Sequence, residues 1–304
     1  ADTAGFDLLR DQLASFLSVA CPFTGQPMTG LAAIELCGFW RRLIDRNRPL
    51  AGALGIAFWK QKALAPLLWN GGDAPAFWRS LPAEAPAGPV AVWRAKTAPE
   101  DLLRLERLGV PLVEVEDGFL RSAGLGADCV PPMSITVDPL GAYFDPAQAS
   151  SLEQMLQHDA VDEALLERAA RLRSTIVAAG LGKYERGSER LARPGGIDQP
   201  HILVTGQVED DRSVQTGGFG LTNLGLLQRV RADHQDAFIL YKPHPDVEAG
   251  HRKGAIHEAI ARDLADRIVP DHNIASLIEL ADEVHVNTSL AGFEALLRGK
   301  KVTT

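Results

Sequence analysis

The chain has 304 residues, 46% of them hydrophobic and 23% charged, with a formal net charge of −8. That length favours two domains, the composition is that of a globular protein with an ordinary core, and the acidic balance excludes a general nucleic-acid binder while leaving room for a local basic pocket. Three widely spaced cysteines (Cys21, Cys37, Cys129) form no Cys-x-x-Cys pair and read as reduced thiols. No apolar run approaches the ~20 residues of a membrane span. The first residues also lack a basic stretch followed by an apolar one. The expected location is therefore cytoplasmic, with peripheral membrane association left open.

In chain order, residues 5–48 predict two helices separated by the Pro/Gly turn at Cys21–Gly30. Arg41, Arg42, Arg46 and Arg48 gather at the end of the second helix, where cations suit the helix dipole. A solvated face explains them better than an anion site. From Leu54 the pattern changes to strands alternating with helices. Leu54–Phe58, Val90–Trp93 and Pro111–Val115 read as strands, and Glu100–Leu108 as a helix. Ser134–Asp138 and Ala142–Asp145 flank Pro139-Leu140-Gly141, which predicts a hairpin. One helical stretch follows over Ser151–Ala179, with Leu152, Met155, Leu156, Leu165, Leu166, Ala169 and Leu172 as its apolar face. Arg193-Pro194-Gly195-Gly196 is the candidate hinge.

A second α/β series comes after the hinge. Its strands are His201–Val204, Ala237–Tyr241, Ile268–Val269 and Val284–Val286. Its helices are Asn223–Asp233, Ala255–Ala265, Ile274–Leu280 and Ala291–Leu297. The chain thus divides into a helical arm (1–50), a Rossmann-like α/β half with trailing helices (51–193) and a second Rossmann-like half (194–304). Two such halves joined by a hinge describe a GT-B-like arrangement with a cleft between them. Periplasmic-binding and epimerase folds share that outline, and pattern alone does not separate them.

Four blocks follow strands and carry chemistry. Ligands of open α/β sheets bind at the carboxyl ends of strands. Gln207-Val208-Glu209-Asp210-Asp211-Arg212-Ser213 sets three acids in a row, which is either a solvated turn or a catalytic carboxylate with companions. Lys242-Pro243-His244-Pro245 holds an imidazole between two prolines and beside a lysine, a donor pair suited to a phosphate oxygen. Thr288-Ser289 opens a helix, either as a plain N-cap or as an anion site. Glu294, further along that helix, is either a ribose contact or a surface acid. In the first half, Glu116-Asp117-Gly118 reads as a strand end and tight turn. It offers Glu116 as general acid or base and Arg121 as a carboxylate holder, against the competing reading of a Glu116–Arg121 ion pair. No dinucleotide fingerprint, P-loop, nucleophile elbow or zinc spacing is present in the sequence.

Together these blocks resemble the capsule polysaccharide β-Kdo transferases (KpsC-type). The likeness rests on Glu116–Ser122, Gly124–Asp128 and Pro131–Ser134, then on Gly206–Asp211, Tyr241–Val247 and Thr288–Lys300. It spans about Leu54 to Thr304. Pro22–Pro27 looks like the linker that precedes the second of two tandem modules, so the chain resembles a C-terminal-type module. The family pattern continues beyond Thr304, which implies a fragment truncated at its C-terminus. The resemblance implies retaining transfer of Kdo from CMP-β-Kdo, building a β-Kdo linker on a phosphatidylglycerol-type lipid in capsule biosynthesis. No cofactor or metal is expected, and the capsule export machinery or a second transferase module are the implied partners. It also implies Asp211 as nucleophile, since the family's acid stands fifth counting Gln207 as first, with Asp210 as runner-up. Gln207, Lys242, His244, Thr288, Ser289, Glu294 and Arg121 are the expected substrate contacts. Other readings are a sialyltransferase-like enzyme, a nucleotide-sugar epimerase, and a non-catalytic nucleotide-binding module.

Overall fold

The computed structural model describes residues 3–16, 19–121, 129–158, 161–181, 191–194 and 199–304. Ser122, the Gly124–Asp128 block and Gly195-Gly196 of the candidate hinge lie outside them.

Helix α1 (Thr3–Phe16) is followed by a two-residue ladder, β1 (Val19–Ala20) with β2 (Pro27–Met28), and by α2 (Gly30–Asn47). Thr29 caps α2 by accepting from Ala32 N. Arg41 and Arg48 both pair with Asp45 on the exposed face. Buried Asn47 ties the end of α2 to the next layer through the carbonyls of Leu67 and Trp69.

The first sheet is built from β3 (Gly52–Leu54), β4 (Phe77–Trp78), β5 (Val90–Val92), β6 (Leu112–Asp117) and β7 (Ile135–Asp138), in the order β4-β3-β5-β6-β7. All its pairings are parallel except β6 with β7. Helices α3 (Phe58–Leu67) and α4 (Pro99–Arg107) accompany it. Its faces are packed by Ala53, Leu64, Ala91 and Val115 on one side and by Leu54, Val90, Val92 and Leu105 on the other.

Helices α5 (Ser151–His158) and α6 (Glu163–Ala178) lead towards the second sheet. That sheet contains β8 (His201–Thr205), β9 (Phe238–Lys242), β10 (Arg267–Ile268), β11 (Glu283–His285) and β12 (Lys301–Thr303), all parallel, in the order β10-β9-β8-β11-β12. Its helices are α7 (Arg212–Gly217), α8 (Asn223–Asp233), α9 (Pro245–Glu248), α10 (Glu258–Leu264), α11 (Ile274–Leu280) and α12 (Leu290–Leu297). Ile202 and Val204 face Leu227 and Val230 of α8, while Leu203 faces Leu277, Ile278 and Ala295. Every residue of β8 is buried, as a central parallel strand requires.

The strand orders have a functional consequence. Connections leave β8 in one direction, through β9 and β10, and later return to β11 on its other side. The crevice above such a reversal, at the strands' carboxyl ends, is where open α/β sheets bind ligands. It lies here between the loops after Thr205 and after His285.

Several expectations are corrected. The strand expected over Leu54–Phe58 is instead β3, Gly52–Leu54, and Phe58 already opens α3. Glu116 and Asp117 are inside β6, opposite Thr136 and Ile135, rather than in a turn. The hairpin over 134–145 is absent: β7 pairs with β6, and Asp138 instead bonds the backbone of Leu140, Gly141 and Ser151. The long helix over Ser151–Ala179 is two helices, the second capped by Asp162. Met155, Leu156, Leu165, Leu166 and Leu172 of its apolar face are exposed, and Ile176 is the buried residue of α6. Apolar periodicity marks a face but not what covers it. Helices α7 and α9 and strand β12 were not expected; the two helices are too short for periodicity to reveal.

Candidate active site

A cleft of about 630 Å³ opens where the carboxyl ends of the two sheets face each other. The first half supplies Gly55 and Ala57 after β3, Trp93 after β5, Glu116 and Asp117 of β6, and Arg121. The second half supplies Gln207, Asp211 and Ser213 after β8, His244 after β9, and Thr288 and Ser289 after β11.

The second half's loops are held close together. Gly206 donates its backbone N–H to Lys242 O, and a Cβ on Gly206 would stand 2.8 Å from Tyr241 Oη and 3.2 Å from Pro243 Cα. Only glycine lets the loops after β8 and β9 approach this closely. The buried Gln207 side chain then braces the third loop. Its Oε1 accepts from the N–H groups of Asn287 and Thr288, and its Nε2 donates to Thr288 Oγ1. Gln207 is thus a positioning residue for the loop that opens α12.

Asp211, His244 and Ser289 each cap a helix that begins at the cleft. Asp211 caps α7 by accepting from Ser213 N and Oγ. Both bonds fall on Oδ1, so Oδ2 is the oxygen that the cap does not use. His244 Nδ1 accepts from Asp246 N at the start of α9, and Ser289 Oγ accepts from Ala291 N at the start of α12. Capping and a cleft-facing position therefore coexist in the same side chains.

Glu116 stands on the opposite wall. Burial pushes its carboxyl up to about 7. Arg212 pulls against that shift, and Asp117, Asp211 and Glu114 add to it. Its partner is Arg212, at 3.4 Å, rather than Arg121. Arg121 is buried and pairs with Asp117 at 2.9 Å, while its Nη2 donates to Val130 O.

Three of the expected residues do not reach the cleft wall. Burial pushes the Asp210 carboxyl up, but Arg252, paired with it at 3.1 Å, and backbone hydrogen bonds together hold it below the ordinary range. Consecutive residues diverge, and Asp211 is the acid on the cleft wall. Lys242 donates to Pro270 O; burial lowers its pKa, with Glu248 and Asp271 opposing. Glu294 is 1% exposed and its Oε2 is buried. Five residues beyond Ser289, it lies about 140° round the helix from it.

Two cations escaped sequence reasoning. Lys60 of α3 lies 3.4 Å from the centroid of the Trp93 ring and 3.5 Å from Asp117 Oδ1. Burial lowers its pKa, against the pull of Asp117. A lone lysine after an apolar run carries no sequence signal for this. Arg212, the first residue of α7, crosses between the halves. It reaches Glu114 Oε2 at 2.7 Å, Asp145 Oδ2 at 3.2 Å and Glu116, and it stacks on Phe144. Phe119 against Phe293 of α12, with ring centroids 4.9 Å apart, adds an apolar contact between the halves. Arg212→Ala leaves buried Glu114 with Arg94 alone. We expect it to destabilise the protein by about 3 kcal/mol in urea unfolding, as the loss of one partner from a buried ion pair does. A loss below about 0.5 kcal/mol, as at an ordinary surface site, would contradict the bridging role.

Fold and site define an α/β protein built on two mainly parallel sheets, with a polar cleft at their facing strand ends. Residues 104–304 match the family described as capsule polysaccharide biosynthesis protein, and the chain belongs to that family. It is 43% identical over 199 residues to the capsule polysaccharide modification protein LipA of Neisseria meningitidis serogroup B, covering 65% of this chain and 28% of LipA. It is 43% identical over 198 residues to the lipopolysaccharide-processing protein LpsZ of Rhizobium meliloti, covering 64% of this chain and 45% of LpsZ. The chain therefore spans well under two thirds of either relative's length. Among solved structures it is similar to the β-Kdo 2,4 transferase of Thermosulfurimonas dismutans KpsC, with a TM-score of 0.68 and 25% identity over 83% of this chain and 78% of that one. It is also similar to the β-Kdo 2,7 transferase of the same KpsC, with a TM-score of 0.60 and 31% identity over 82% and 76% of the two chains. Among the described residues no helix is long and apolar enough to cross a membrane.

Proposed function

We propose that the chain is a GT-B glycosyltransferase module that transfers Kdo from CMP-Kdo, with retention, to a lipid-linked acceptor in capsule polysaccharide biosynthesis. The observation that carries this reading is the pair Asp211 and Glu116, two carboxylates on opposite walls of one cleft, the first exposed, the second carried on a strand with its carboxyl pushed up to about 7 by burial. Two carboxylates set apart in this way suit a nucleophile and an acid–base group. The similarity to two KpsC Kdo transferases supports the sugar class.

In this reading the Asp211 carboxylate attacks the anomeric carbon of Kdo. The bond from that carbon to the phosphate oxygen breaks, and CMP departs with the electron pair. His244 and the backbone N–H groups opened by Ser289 stabilise the phosphate as its charge grows. An acceptor hydroxyl then gives its proton to Glu116 and attacks the same carbon, expelling Asp211. Two inversions return the original configuration. No metal or cofactor is assigned to these steps. The module works at the cytoplasmic face of a membrane, where nucleotide sugar and lipid acceptor meet.

Removing a hydrogen bond to a charged group costs about 1.5–3 kcal/mol. His244→Ala and Ser289→Ala are each therefore expected to weaken CMP binding by roughly 10- to 100-fold in calorimetry. Unchanged affinity in both would refute the phosphate site. For the reaction as a whole, the protein is incubated with CMP-Kdo and a β-Kdo glycolipid, and the lipid is weighed by mass spectrometry. Addition of Kdo supports the reading. Transfer from CMP-sialic acid instead would point to a sialyltransferase-like enzyme, and binding of CMP without turnover of either donor would point to a nucleotide-binding module.

A further inference from the structure

A second cluster of chemically capable side chains lies away from the cleft. Glu283 and His285 are two residues apart on β11, so their side chains share one face of the sheet. His234, at the C-terminal end of α8, meets them from the helix layer, its ring centroid 5.3 Å from that of His285. One ligand atom from each of the three lies within 4.8 Å of the others. None of the three lines the cleft.

The local hydrogen bonding satisfies Glu283 but not the His285 ring nitrogen that faces it. Glu283 is well held: Thr303 Oγ1 donates to its Oε1, and Lys301 Nζ donates to its Oε2. Both donors come from β12, in register with β11. His285 is 6% exposed, and its Nε2 is buried. That nitrogen lies 2.9 Å from Glu283 Oε1, near enough for ionic contact, but makes no hydrogen bond of acceptable geometry. A buried ring nitrogen without a hydrogen bond, aimed at a carboxylate and a second imidazole, calls for a partner that accepts a lone pair from each.

We infer that His234, Glu283 and His285 form a site for a zinc-class divalent cation that staples the end of α8 to β11. Two imidazoles and one carboxylate suit zinc, cobalt or nickel, whereas magnesium and calcium favour all-oxygen sets. Three protein ligands leave a fourth position for water. Ligands about 2.0–2.1 Å from a tetrahedral ion stand ~3.4 Å from each other, so a small rotation of His234 and His285 closes the set. Lys301 competes with the cation for Glu283, but its side chain is 70% exposed and free to swing into water. The site is structural: it joins α8 to β11 through residues that do not line the cleft.

The test uses the whole chain, stripped with a chelator and titrated with Co²⁺ while the visible d–d absorption is followed, then back-titrated with Zn²⁺. The account predicts an intense band typical of four-coordinate cobalt that saturates at one equivalent, is displaced by zinc, and accompanies a rise in melting temperature. His234 is half-buried at a helix end, so His234→Ala should fold. It is expected to lose at least tenfold in Co²⁺ affinity and to lose the thermal shift, while CMP binding stays at the wild-type value. His285→Ala should abolish the band. Absence of a band at micromolar metal, or a band that survives both substitutions, overturns the site.

Discussion

Asp211→Asn is expected to reduce Kdo transfer by on the order of 10⁴-fold or more, as the loss of a covalent nucleophile does. Binding of CMP should stay within a few-fold of wild type. Asparagine is the informative substitution because Asp211 also caps α7 through Ser213. Alanine would remove both roles and cost about 1 kcal/mol of cap energy. Asparagine caps as well as aspartate, so the fold is kept and only the nucleophilic oxygen is lost. Asp210→Asn serves as the control, since Asp210 does not itself line the cleft and its carboxylate is engaged with Arg252. It should retain most of the activity. Wild-type turnover by Asp211→Asn would end the assignment, and a large loss at Asp210 alone would move the role back one residue.

Glu116→Gln should slow transfer by about 10²- to 10⁴-fold, the usual contribution of a general base. The pH dependence separates this from a merely structural role. A base works as the carboxylate, so wild-type transfer should fall about tenfold per pH unit below about 7, where Glu116 gains its proton. The variant should lose that limb. Stability should move the other way. The carboxyl titrates at 4.5 in the unfolded reference and at about 7 in the native chain. The native state therefore binds the extra proton between these values, and stability falls as pH rises from 4.5 to 7. Glutamine removes the cost of the buried charge. Glu116→Gln should melt above wild type at pH 8, with the advantage fading towards pH 4.5. A variant that melts lower at pH 8 would mean that the ion pair with Arg212 outweighs burial and that Glu116 is chiefly structural.

Much of the second sheet was legible in the sequence. Helices α8 and α11 begin and end as expected, because Thr222 and Asn273 supply caps and the apolar spacing is regular. Strands β8 and β9 carry short apolar runs, Ile202–Val204 and Phe238–Leu240, bounded by polar residues, whereas β11 holds only Val284 between Glu283 and His285. The loops that follow them were legible too, since strand ends of a parallel sheet converge on one crevice. The direction of each side chain was not. Lys242 ends its strand beside the cleft, yet it bonds to Pro270 O, and Glu294 lies round the helix from Ser289. The contacts of Arg212 with Glu114 and Glu116 join residues 98 and 96 positions apart, beyond any local pattern. The apolar stripe of α6 was visible as a stripe, but sequence spacing could not say that it faces solvent.

Double displacement through Asp211 is most directly tested by intact-protein mass spectrometry of Glu116→Gln after brief incubation with CMP-Kdo and no acceptor. The account predicts a protein heavier by one Kdo residue, with the adduct mapping by peptide digestion to Asp211, and no adduct in Glu116→Gln that also carries Asp211→Asn. Donor turnover with no adduct at any time, or an adduct that persists when Asp211 is replaced, would contradict it.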